Sequence, residues 1–410
     1  MPLSRTALVT VSGVLGAGYA VYSVDRYAFT FLTPTVASNL TIPIATVGLL
    51  GTIFLWGQIA ASLPASLFMV RHGFRPTLIV GLAVTTIGVF ATGLTSDTIT
   101  IGVARIVTGI GEGFWNVAIV LAFVGVFSNR KGFGAGLSQT FFGVGILGGP
   151  ILAGSILALT GNWRDVFYAL SALGFVVCIL ISVLTKQGQL DEPSFTEGQR
   201  TTMRAVLQAI GKELRKSRSA TLTLIVGFTL FEIAFWSYAV LVSTYLETGL
   251  GLNPATAAFF AGADGIAIVF LGWWAGSVGD LTGRGRAIAM GGAVQGVTGV
   301  LIFSIGSNEV ALFALALVFG VSLIICYSSI FAAIASQFQP ETARFMAGLV
   351  ISLGLIPAGY IGYAGFAVRG WFGWSATAGL LIGLPSFAMA LIALALPPQE
   401  VAGGIERVDG

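Results

Sequence analysis

Charged residues, histidine and cysteine are all scarce in this chain. Only 9% of its 410 residues are charged, whereas an ordinary soluble domain carries about 25%. There is one histidine, His72, and the two cysteines lie in apolar stretches. A histidine-based metal site, a catalytic triad and a disulfide framework are therefore not expected. The sequence also lacks a P-loop pattern, and it predicts no enzyme activity, no cofactor and no nucleic-acid partner.

Long apolar segments make up most of the chain. Hydrophobic residues account for 56% of the sequence, and the mean hydropathy is +0.93. Because about 20 apolar residues suffice for a helix to cross a bilayer, the sequence predicts a membrane protein with twelve spans. Their approximate ranges are 8–37, 45–70, 77–95, 99–127, 133–160, 165–185, 220–246, 254–279, 287–306, 309–335, 345–368 and 373–396.

A long polar segment separates the sixth span from the seventh. Its second part, TMRAVLQAIGKELRKSRSA, places apolar residues at helical spacing and basic residues on the other face. This pattern predicts a helix on the membrane surface, and a disordered linker is the alternative. The predicted domains are an N-terminal six-helix bundle (1–185), this linker (186–219), a C-terminal six-helix bundle (220–396) and a cytoplasmic tail (397–410).

Lysine and arginine are unevenly distributed between the two sides of the predicted spans. With both termini in the cytoplasm, sixteen of the 20 basic residues lie inside. Arg164 and Arg369 lie outside, and Arg26 and Arg105 lie within spans. The positive-inside rule therefore predicts a multi-pass protein of the cell membrane with cytoplasmic termini.

Two patterns recur at an offset of about 210 residues. The segment after the second span, VRHGFR, is similar to the segment after the eighth span, DLTGRGR. The segment after the fifth span, GNWRDVFYALSALG, is similar to the segment after the eleventh span, FGWSATAGLLIG. Parallel repeated halves are the plan of a secondary transporter, whose site lies between the halves near the middle of the membrane. The expected fold class is an all-α membrane protein with twelve transmembrane helices in two pseudo-symmetric six-helix bundles.

The loop after the eighth span carries Gly276, Asp280, Gly283, Arg284 and Arg286. In these residues, and over nearly its whole length, the chain resembles a major facilitator superfamily transporter. The resemblance implies that this loop is a gating latch that holds the outward-open state. Glycine permits a tight turn, and Asp280 can pair with arginine and cap a helix N-terminus.

The corresponding loop of the first half is degenerate. Val70 stands where the family has aspartate, and Ser66 stands where it has glycine. The resemblance implies a gating role for Arg71 and Arg75 too, and simple positive-inside anchoring is the alternative.

Glycines cluster in the fourth and fifth spans. The fourth contains RIVTGIGEG from Arg105 to Gly113, in which Arg105 and Glu112 share a helix face. The glycines permit close helix packing, and a structural ion pair within the first half is one interpretation of the two charges. The fifth span reads GVGILGGPILAG and resembles the motif often called the antiporter motif. A kinked, closely packed helix is the alternative.

Two adjacent opposite charges, Asp25 and Arg26, lie deep in the first span. A charge at this depth costs about 2.5–3.5 kcal/mol on insertion scales, so the pair predicts a site that faces protein or water. Together with Arg105 and Glu112, it resembles the anion:cation symporter branch of sialin, the vesicular glutamate transporters and sugar-acid permeases. The resemblance implies that Arg26 binds a substrate carboxylate, that Asp25 and Glu112 carry protons, and that Arg105 is a pairing residue. A guanidinium suits this role because its fork of donors fits a carboxylate.

Three residues depart from that branch. Gln58 stands where the branch commonly has tyrosine, and Glu232 and Asp264 are additional acids near the centres of the seventh and eighth spans. Four interpretations of these acids stay open: a second proton site, part of a sodium site, a contact for a cationic group on the substrate, and a hydrogen-bonded structural acid.

Polar and aromatic side chains near these charges are candidates for the wall of a cavity, and packing or lipid contact is the alternative for each aromatic. The repeat offset places Trp236 opposite Arg26. The residues predicted to bind substrate are Arg26, Tyr22, Gln58, Trp115, Gln139, Trp236 and Tyr327, and further candidates are Tyr27, Trp56, Asn116, Phe235 and Tyr238.

The sequence thus predicts a monomeric secondary active transporter that moves a small organic anion with protons by alternating access. Sodium as the coupling ion stays open. So do a proton-driven antiporter that exports drugs or metabolites and a ligand-binding sensor of the same fold. The expected partners are the small anion, the coupling ion and the lipid bilayer.

Overall fold

The computed structural model describes residues 5–186, 190 and 203–397. Residues 187–189 and 191–202 of the predicted linker, and the predicted tail beyond residue 397, lie outside this range. The described ranges consist of helices and short connections, and they contain no strand.

Six long helices form the N-terminal half, and a similar series after a short helix forms the C-terminal half. The first six are α1 (Arg5–Leu40), α2 (Ile44–His72), α3 (Phe74–Leu94), α4 (Thr98–Val126), α5 (Lys131–Thr160) and α6 (Arg164–Leu184). The short helix is α7 (Met203–Lys216). The second series is α8 (Arg218–Thr244), α9 (Pro254–Ala261), α10 (Ala263–Thr282), α11 (Arg284–Ile302), α12 (Glu309–Gln337), α13 (Pro340–Ala378) and α14 (Leu384–Ala393).

The number of membrane crossings follows from the length of the last helical stretch. Eleven stretches of the described chain are long and apolar enough to cross a bilayer, and the last, Pro340–Ala393, has 54 residues. One crossing needs only about 20. This stretch turns at Gly373, whose φ of 76° lies in the left-handed region, and Gly161 makes the matching turn between α5 and α6 with a φ of 70°. The stretch therefore contains two spans, and the prediction of twelve is confirmed.

The two halves repeat each other even at their helix starts. The Asp97 side chain caps α4 by accepting hydrogen bonds from the backbone N–H groups of Ile99 and Thr100, each at 3.0 Å. Asn308 caps α12 through the backbone N–H of Ala311 at 3.1 Å. Such caps satisfy donors that the first turn of a helix leaves unpaired. The caps lie about 210 residues apart, so the two halves have equivalent capping hydrogen bonds at equivalent positions.

The halves contact each other through α5 with α10 and through α2 with α13. Glycines allow the first pair to approach closely, since a Cβ on Gly276 would lie 2.4 Å from the Gly132 carbonyl oxygen and 2.5 Å from Gly136 Cα. We call the side of the molecule where α2 and α10 end and α5 and α13 begin the basic side, because the predicted cytoplasmic lysines and arginines flank these ends.

Helix α7 contacts both halves on the basic side. Ile210 is buried and packs with Leu214 against Val70 of α2 and Phe345 of α13. The apolar face that the spacing predicts for this segment therefore lies at least partly against protein.

Candidate functional site

A cavity of about 50 Å³ lies between the halves, near the middle of their helices. Side chains from α1, α2, α4 and α5 line one side of it, and side chains from α8, α10, α12 and α13 line the other. The lining residues are Tyr19, Tyr22, Arg26, Gln58, Asn116, Gln139, Phe142, Phe231, Glu232, Phe235, Ile268, Leu323, Ile324, Tyr327 and Leu355. A ligand held there would touch both halves.

Four charged residues of α1 and α4 form two crossed ion pairs beside this cavity. Arg26 Nη2 lies 2.6 Å from Glu112 Oε2, and Arg105 Nη1 lies 2.6 Å from Asp25 Oδ2. Neighbouring residues on a helix point about 100° apart because one turn takes 3.6 residues. Asp25 and Arg26 therefore pair across to α4 rather than with each other, and Arg105 does not pair with Glu112.

Arg26 is the cation at the cavity wall, with 8% of its surface exposed. Its Nε and Nη2 donate to Glu112 Oε2 at 3.0 and 2.6 Å, and Nη2 also donates to Gln58 Oε1 at 2.8 Å and to the Tyr22 hydroxyl. The ring centroids of Tyr22 and Phe54 lie 4.5 and 4.8 Å from its guanidinium carbon, within cation–π range. Among the described residues, none accepts a hydrogen bond from Nη1. Arg26 is thus held firmly while one of its nitrogens remains unused.

The second ion pair is sealed within the N-terminal half. Asp25 is 1% exposed and Arg105 is fully buried, and neither lines the cavity. The guanidinium carbon of Arg105 also lies 4.7 Å from the Phe29 ring centroid and 5.3 Å from that of Phe54. Breaking a buried pair by removing one partner typically costs about 3–5 kcal/mol. This geometry suits a pair that fixes α1 against α4.

Glu232 brings a carboxyl group to the cavity from α8. Trp236 Nε1 donates a hydrogen bond to Glu232 Oε2 at 2.9 Å. The Trp236 ring does not line the cavity, but its centroid lies 5.9 Å from the Arg26 guanidinium carbon. Glu232 and Arg26 interact electrostatically across the cavity. Trp236 therefore lies near Arg26 and orients the acid of the opposite wall.

Asp264 lies apart from the cavity at the start of α10. It is 4% exposed and interacts electrostatically with Tyr27 and Tyr238. Its Oδ1 atom has no hydrogen-bond partner within the described chain. Among those same residues, no cluster of three or more histidine, cysteine or acidic side chains is arranged to hold a metal ion.

Five of the seven residues predicted to bind substrate line the cavity, whereas Trp115 and Trp236 do not. The predicted residues in the wall are Tyr22, Arg26, Gln58, Gln139 and Tyr327, joined by Asn116 and Phe235 from the further candidates. Trp115 is fully buried and packs against Gly18 of α1 and Gly81 of α3. Its ring fills the core of the N-terminal half, so it is unable to reach a ligand in this conformation.

The sequence interpretation missed several lining residues, and one of them carried a usable signal. Tyr19 lies three residues before Tyr22 and seven before Arg26, so all three share one face of α1. Its hydroxyl accepts a hydrogen bond from Gln139 Nε2 at 3.3 Å. The other missed residues are Phe142, Phe231, Ile268, Leu323, Ile324 and Leu355, which are apolar and have no distinguishing pattern in an apolar chain.

Asp280, predicted as a gating residue, joins the two halves on the basic side. Its Oδ1 and Oδ2 accept hydrogen bonds from the backbone N–H groups of Gly132 and Phe133, at 3.1 and 3.0 Å. These donors belong to the first turn of α5, where the helix dipole favours a negative charge. Arg284, at the start of α11, forms an ion pair with the same carboxylate.

The other predicted gating arginines make no such contact with the residues that the structure describes. Arg75 stays within the N-terminal half, where its Nε and Nη2 donate to the carbonyl oxygens of Thr185 and Ser182 at 2.8 and 2.7 Å. Arg71 and Arg286 are exposed on the basic side. Arg75 thus provides donors for carbonyl oxygens at the end of α6.

Two basic residues that the sequence showed only as positive-inside charges contact the opposite half. Lys131 Nζ at the start of α5 donates to the carbonyl oxygen of Ala335 in α12 at 2.7 Å. The guanidinium carbon of Arg344 in α13 lies 4.7 Å from the Phe74 ring centroid in α3. No local pattern could reveal these contacts, because they depend on how the halves approach each other.

A twelve-helix membrane protein with a charged cavity enclosed between two repeated halves is a secondary transporter in architecture. The chain belongs to the Major Facilitator Superfamily, since the sequence model of that family matches residues 15–362. The resemblance found in the loop after the eighth span is therefore confirmed, and so is the assignment to transporters rather than enzymes.

Individual relatives are distant. A probable sulfoacetate transporter, SauU of Cupriavidus necator, is 23% identical over 286 residues, covering 67% of this chain and 63% of that protein. An uncharacterized MFS-type transporter of Mycobacterium tuberculosis, Rv1250, is 26% identical over 168 residues, which cover 41% of this chain and 29% of that protein. In both cases the match spans less than two thirds of the relative's length.

Solved structures show the same fold at low sequence identity. The crystal structure of the transporter FucP in the outward conformation superposes with a TM-score of 0.73 at 16% identity, covering 94% of this chain and 98% of that one. A variant of the E. coli fucose:proton symporter FucP gives a TM-score of 0.71 with the same coverage. These matches establish the fold of two six-helix bundles.

Proposed function

We propose that this transporter is a symporter that moves a small organic anion together with protons by alternating access. The observation that carries the proposal is Arg26, a guanidinium at the wall of a cavity between the halves with Nη1 unused by the described protein atoms. A guanidinium offers donors in a fixed plane that match a carboxylate. In a small cavity, this cation is the natural contact for an anion.

Charge balance links the anion to a proton. When all four are ionised, Asp25, Arg26, Arg105 and Glu112 sum to zero. A bound monoanion adds an uncompensated buried charge, which is expensive. A proton on Glu112 removes that excess, and it also weakens the hold of Glu112 on Arg26, so that more donors become free for the substrate.

The relatives are consistent with this proposal. SauU is described as a probable transporter of sulfoacetate, an organic anion, and FucP is described as a fucose:proton symporter. The glycines of the fifth span provide no support for the antiporter alternative. A Cβ on Gly145 or Gly149 would meet Ser23 or Tyr27 of α1, so these glycines serve close helix packing.

The remaining features of the proposal concern orientation and gating. We place the basic side in the cytoplasm of a cell-membrane protein that acts as a monomer. The Asp280 contact to α5 then holds the cytoplasmic face shut, and opening toward the cytoplasm requires that this contact break. The substrate site would alternate between the two sides as the halves rock about it.

Uptake into proteoliposomes under an imposed pH gradient tests the proposal. Purified protein is first screened for thermal stabilisation by a panel of organic acids, and the stabilising acid is then used as the radiolabelled probe. We expect the probe to accumulate when the outside is acidic and not to accumulate after a protonophore is added. We also expect that a sodium gradient alone does not drive accumulation.

Three results would separate the alternatives. Transport only in exchange for internal substrate, or export driven by protons, supports the antiporter instead. If a sodium gradient drives accumulation at constant pH, the protein is a symporter whose coupling ion is sodium and not the proton. Stabilisation by an acid without any flux would make the protein a sensor.

A further inference from the structure

The cavity has two different ends, because one half contributes a guanidinium and the other contributes a carboxyl group. Arg26 of α1 lines it from the N-terminal half, and Glu232 of α8 lines it from the C-terminal half. Within the described chain these two side chains do not form an ion pair with each other, and Arg26 is paired with Glu112 instead. A guanidinium and a carboxyl group thus line the same small cavity without pairing with each other.

Glu232 has one occupied oxygen and one unoccupied oxygen. Trp236 Nε1 binds Oε2 at 2.9 Å, whereas Oε1 has no hydrogen-bond partner within the part of the chain that the structure describes, and it is not among the sealed, unpaired atoms there. A carboxyl group that is mostly buried and lines a cavity needs a hydrogen-bond donor, a cation or a proton to compensate it.

The walls beside Glu232 are aromatic. Phe231 and Phe235 flank it one residue before and three residues after on α8, with their rings stacked at 6.1 Å between centroids. Tyr327 of α12 lies 5.8 Å from the Phe231 centroid. Aromatic faces attract an organic ammonium group by cation–π interaction, so the surroundings of Glu232 favour a cation that also has apolar substituents.

We infer that the substrate is a small zwitterion, whose carboxylate binds Arg26 and whose ammonium group binds Glu232. The inference rests on the proposed function, since it takes the Arg26–carboxylate contact from it. Charge balance is consistent with it. With Glu232 protonated, the charges near the cavity sum to zero, which is the case considered for a monoanion above. With Glu232 ionised, the five charges sum to minus one, so a zwitterion with one proton makes the loaded site neutral.

A ligand of this kind also bridges the halves. One end of it binds α1 and the other binds α8, so a molecule with only one of the two groups leaves the opposite charge uncompensated when the cavity closes. An unpaired buried polar or charged group is a strong source of discrimination between analogues. The second charge therefore makes the site selective against simple carboxylates.

Binding to matched pairs of probes tests the inference on the full-length protein in detergent. The pairs are acetate and glycine, propionate and β-alanine, butyrate and γ-aminobutyrate, and phenylpropionate and phenylalanine, which differ by one ammonium group. In at least one pair we expect the amino acid to bind at least about tenfold more tightly than its carboxylate, a difference of about 1.4 kcal/mol. Calorimetry and thermal shift give the affinities.

Variants of Glu232 identify the group responsible for the preference. In Glu232→Gln we expect the amino acid to lose about tenfold in affinity while the matched carboxylate changes by less than about twofold, in line with the loss of one charge contact. Glu232→Asp keeps the charge and should retain the preference. Glu247→Gln, an exposed acid beyond the end of α8, is the matched control and should behave as wild type.

Three results would overturn the inference. If wild-type protein binds both members of every pair alike, or binds the carboxylates better, the zwitterion is rejected and the anion site at Arg26 stands. If Glu232→Gln leaves the preference intact but abolishes pH-driven uptake, Glu232 is a proton site. If no member of any pair binds, the inference and the proposed Arg26 contact both fail.

Discussion

The Glu213 carboxylate of α7 accepts a hydrogen bond from the backbone N–H of Gln339, at 2.9 Å. It also accepts one from the Thr342 hydroxyl in the first turn of α13. A segment between the two halves thus supplies an anion to the N-terminus of a helix in the second half, where the helix dipole favours it. Together with the packing of Ile210 against Val70, this contact ties α7 across the basic side.

Removing this anion should loosen the basic side. Loss of a helix-capping side chain typically costs about 0.5–2 kcal/mol, so we expect Glu213→Ala to move the equilibrium measurably toward the state open on that side. Glu213→Gln keeps an acceptor and should have a smaller effect. Spin-label distances between the ends of α2 and α10 provide the measurement, and identical distributions in wild type and Glu213→Ala would contradict the role given to Glu213.

Val70 should be intolerant of the aspartate that the family has at this position. Val70→Asp would bury a carboxylate against Ile210, Leu214 and Phe345, and an unpaired buried charge is expensive. We therefore expect α7 to detach and trypsin to cleave at its lysines and arginines faster than in wild type. Val70→Ile is the control that keeps the apolar contact. Equal cleavage rates in all three proteins would show that α7 is not held there.

Asp280 should hold the same side shut through its two hydrogen bonds to the start of α5. Asp280→Asn keeps an acceptor but loses the charge that the α5 dipole and Arg284 favour, and we expect a shift of about 1.4 kcal/mol, or roughly tenfold, toward the open state. The spin-label distances described for Glu213 measure this shift. An unchanged distribution would remove Asp280 from the gate.

A methyl group at the crossing of α5 and α10 should open the same side by a steric route. The Cβ of Gly276→Ala in α10 would collide with the Gly132 backbone of α5, whereas the Cβ of Gly148→Ala, elsewhere in α5, would meet nothing within 4 Å. We expect the first variant to favour the open state and the second to match wild type. If both variants behave alike, the close approach of these helices does not limit the closed state.

Arg26 should be required for binding an anion but not for folding. Arg26→Ala removes the cation, and Arg26→Lys keeps a charge but loses the planar fork. We therefore expect both variants to bind the stabilising acid more weakly than wild type, with the larger loss of affinity in Arg26→Ala. Because Arg26→Ala also leaves Glu112 unpaired, size-exclusion behaviour and circular dichroism must show a folded protein. Normal affinity in a folded Arg26→Ala protein would reject the anion site.

Glu112 and Asp25 should respond differently to neutralisation, because only the partner of Glu112 lines the cavity. Glu112→Gln mimics the protonated acid and is expected to exchange substrate in counterflow while it no longer accumulates substrate from a pH gradient. Asp25→Asn leaves Arg105 buried without its counter-ion, so its main effect should be a loss of thermal stability, on the scale of about 3–5 kcal/mol for a broken buried pair. If pH-driven accumulation survives in Glu112→Gln, Glu112 is not the proton site, and Glu232 becomes the next candidate.

The sequence by itself determined the features that depend on local chemistry. Twelve spans follow from apolar length and the two halves from repeated turns, because the bilayer requires long apolar helices and the turns require particular residues. The charges within the spans also stand out, since each is costly in lipid. Arg26, Gln58 and Glu232 could therefore be singled out as candidates before any helix was placed.

Only the tertiary structure decided which of these residues meet. Asp25 and Arg26 are neighbours in sequence, but the rotation of α1 against α4 gives them different partners, Arg105 and Glu112. Trp115 and Trp236 are both tryptophans within predicted spans, and the sequence does not distinguish them. In the structure the first fills the core of one half, whereas the second donates a hydrogen bond to Glu232. In a membrane protein, buried and lipid-facing surfaces are both apolar. Hydropathy therefore finds the helices, but the faces that pack together are determined by contacts between distant parts of the chain.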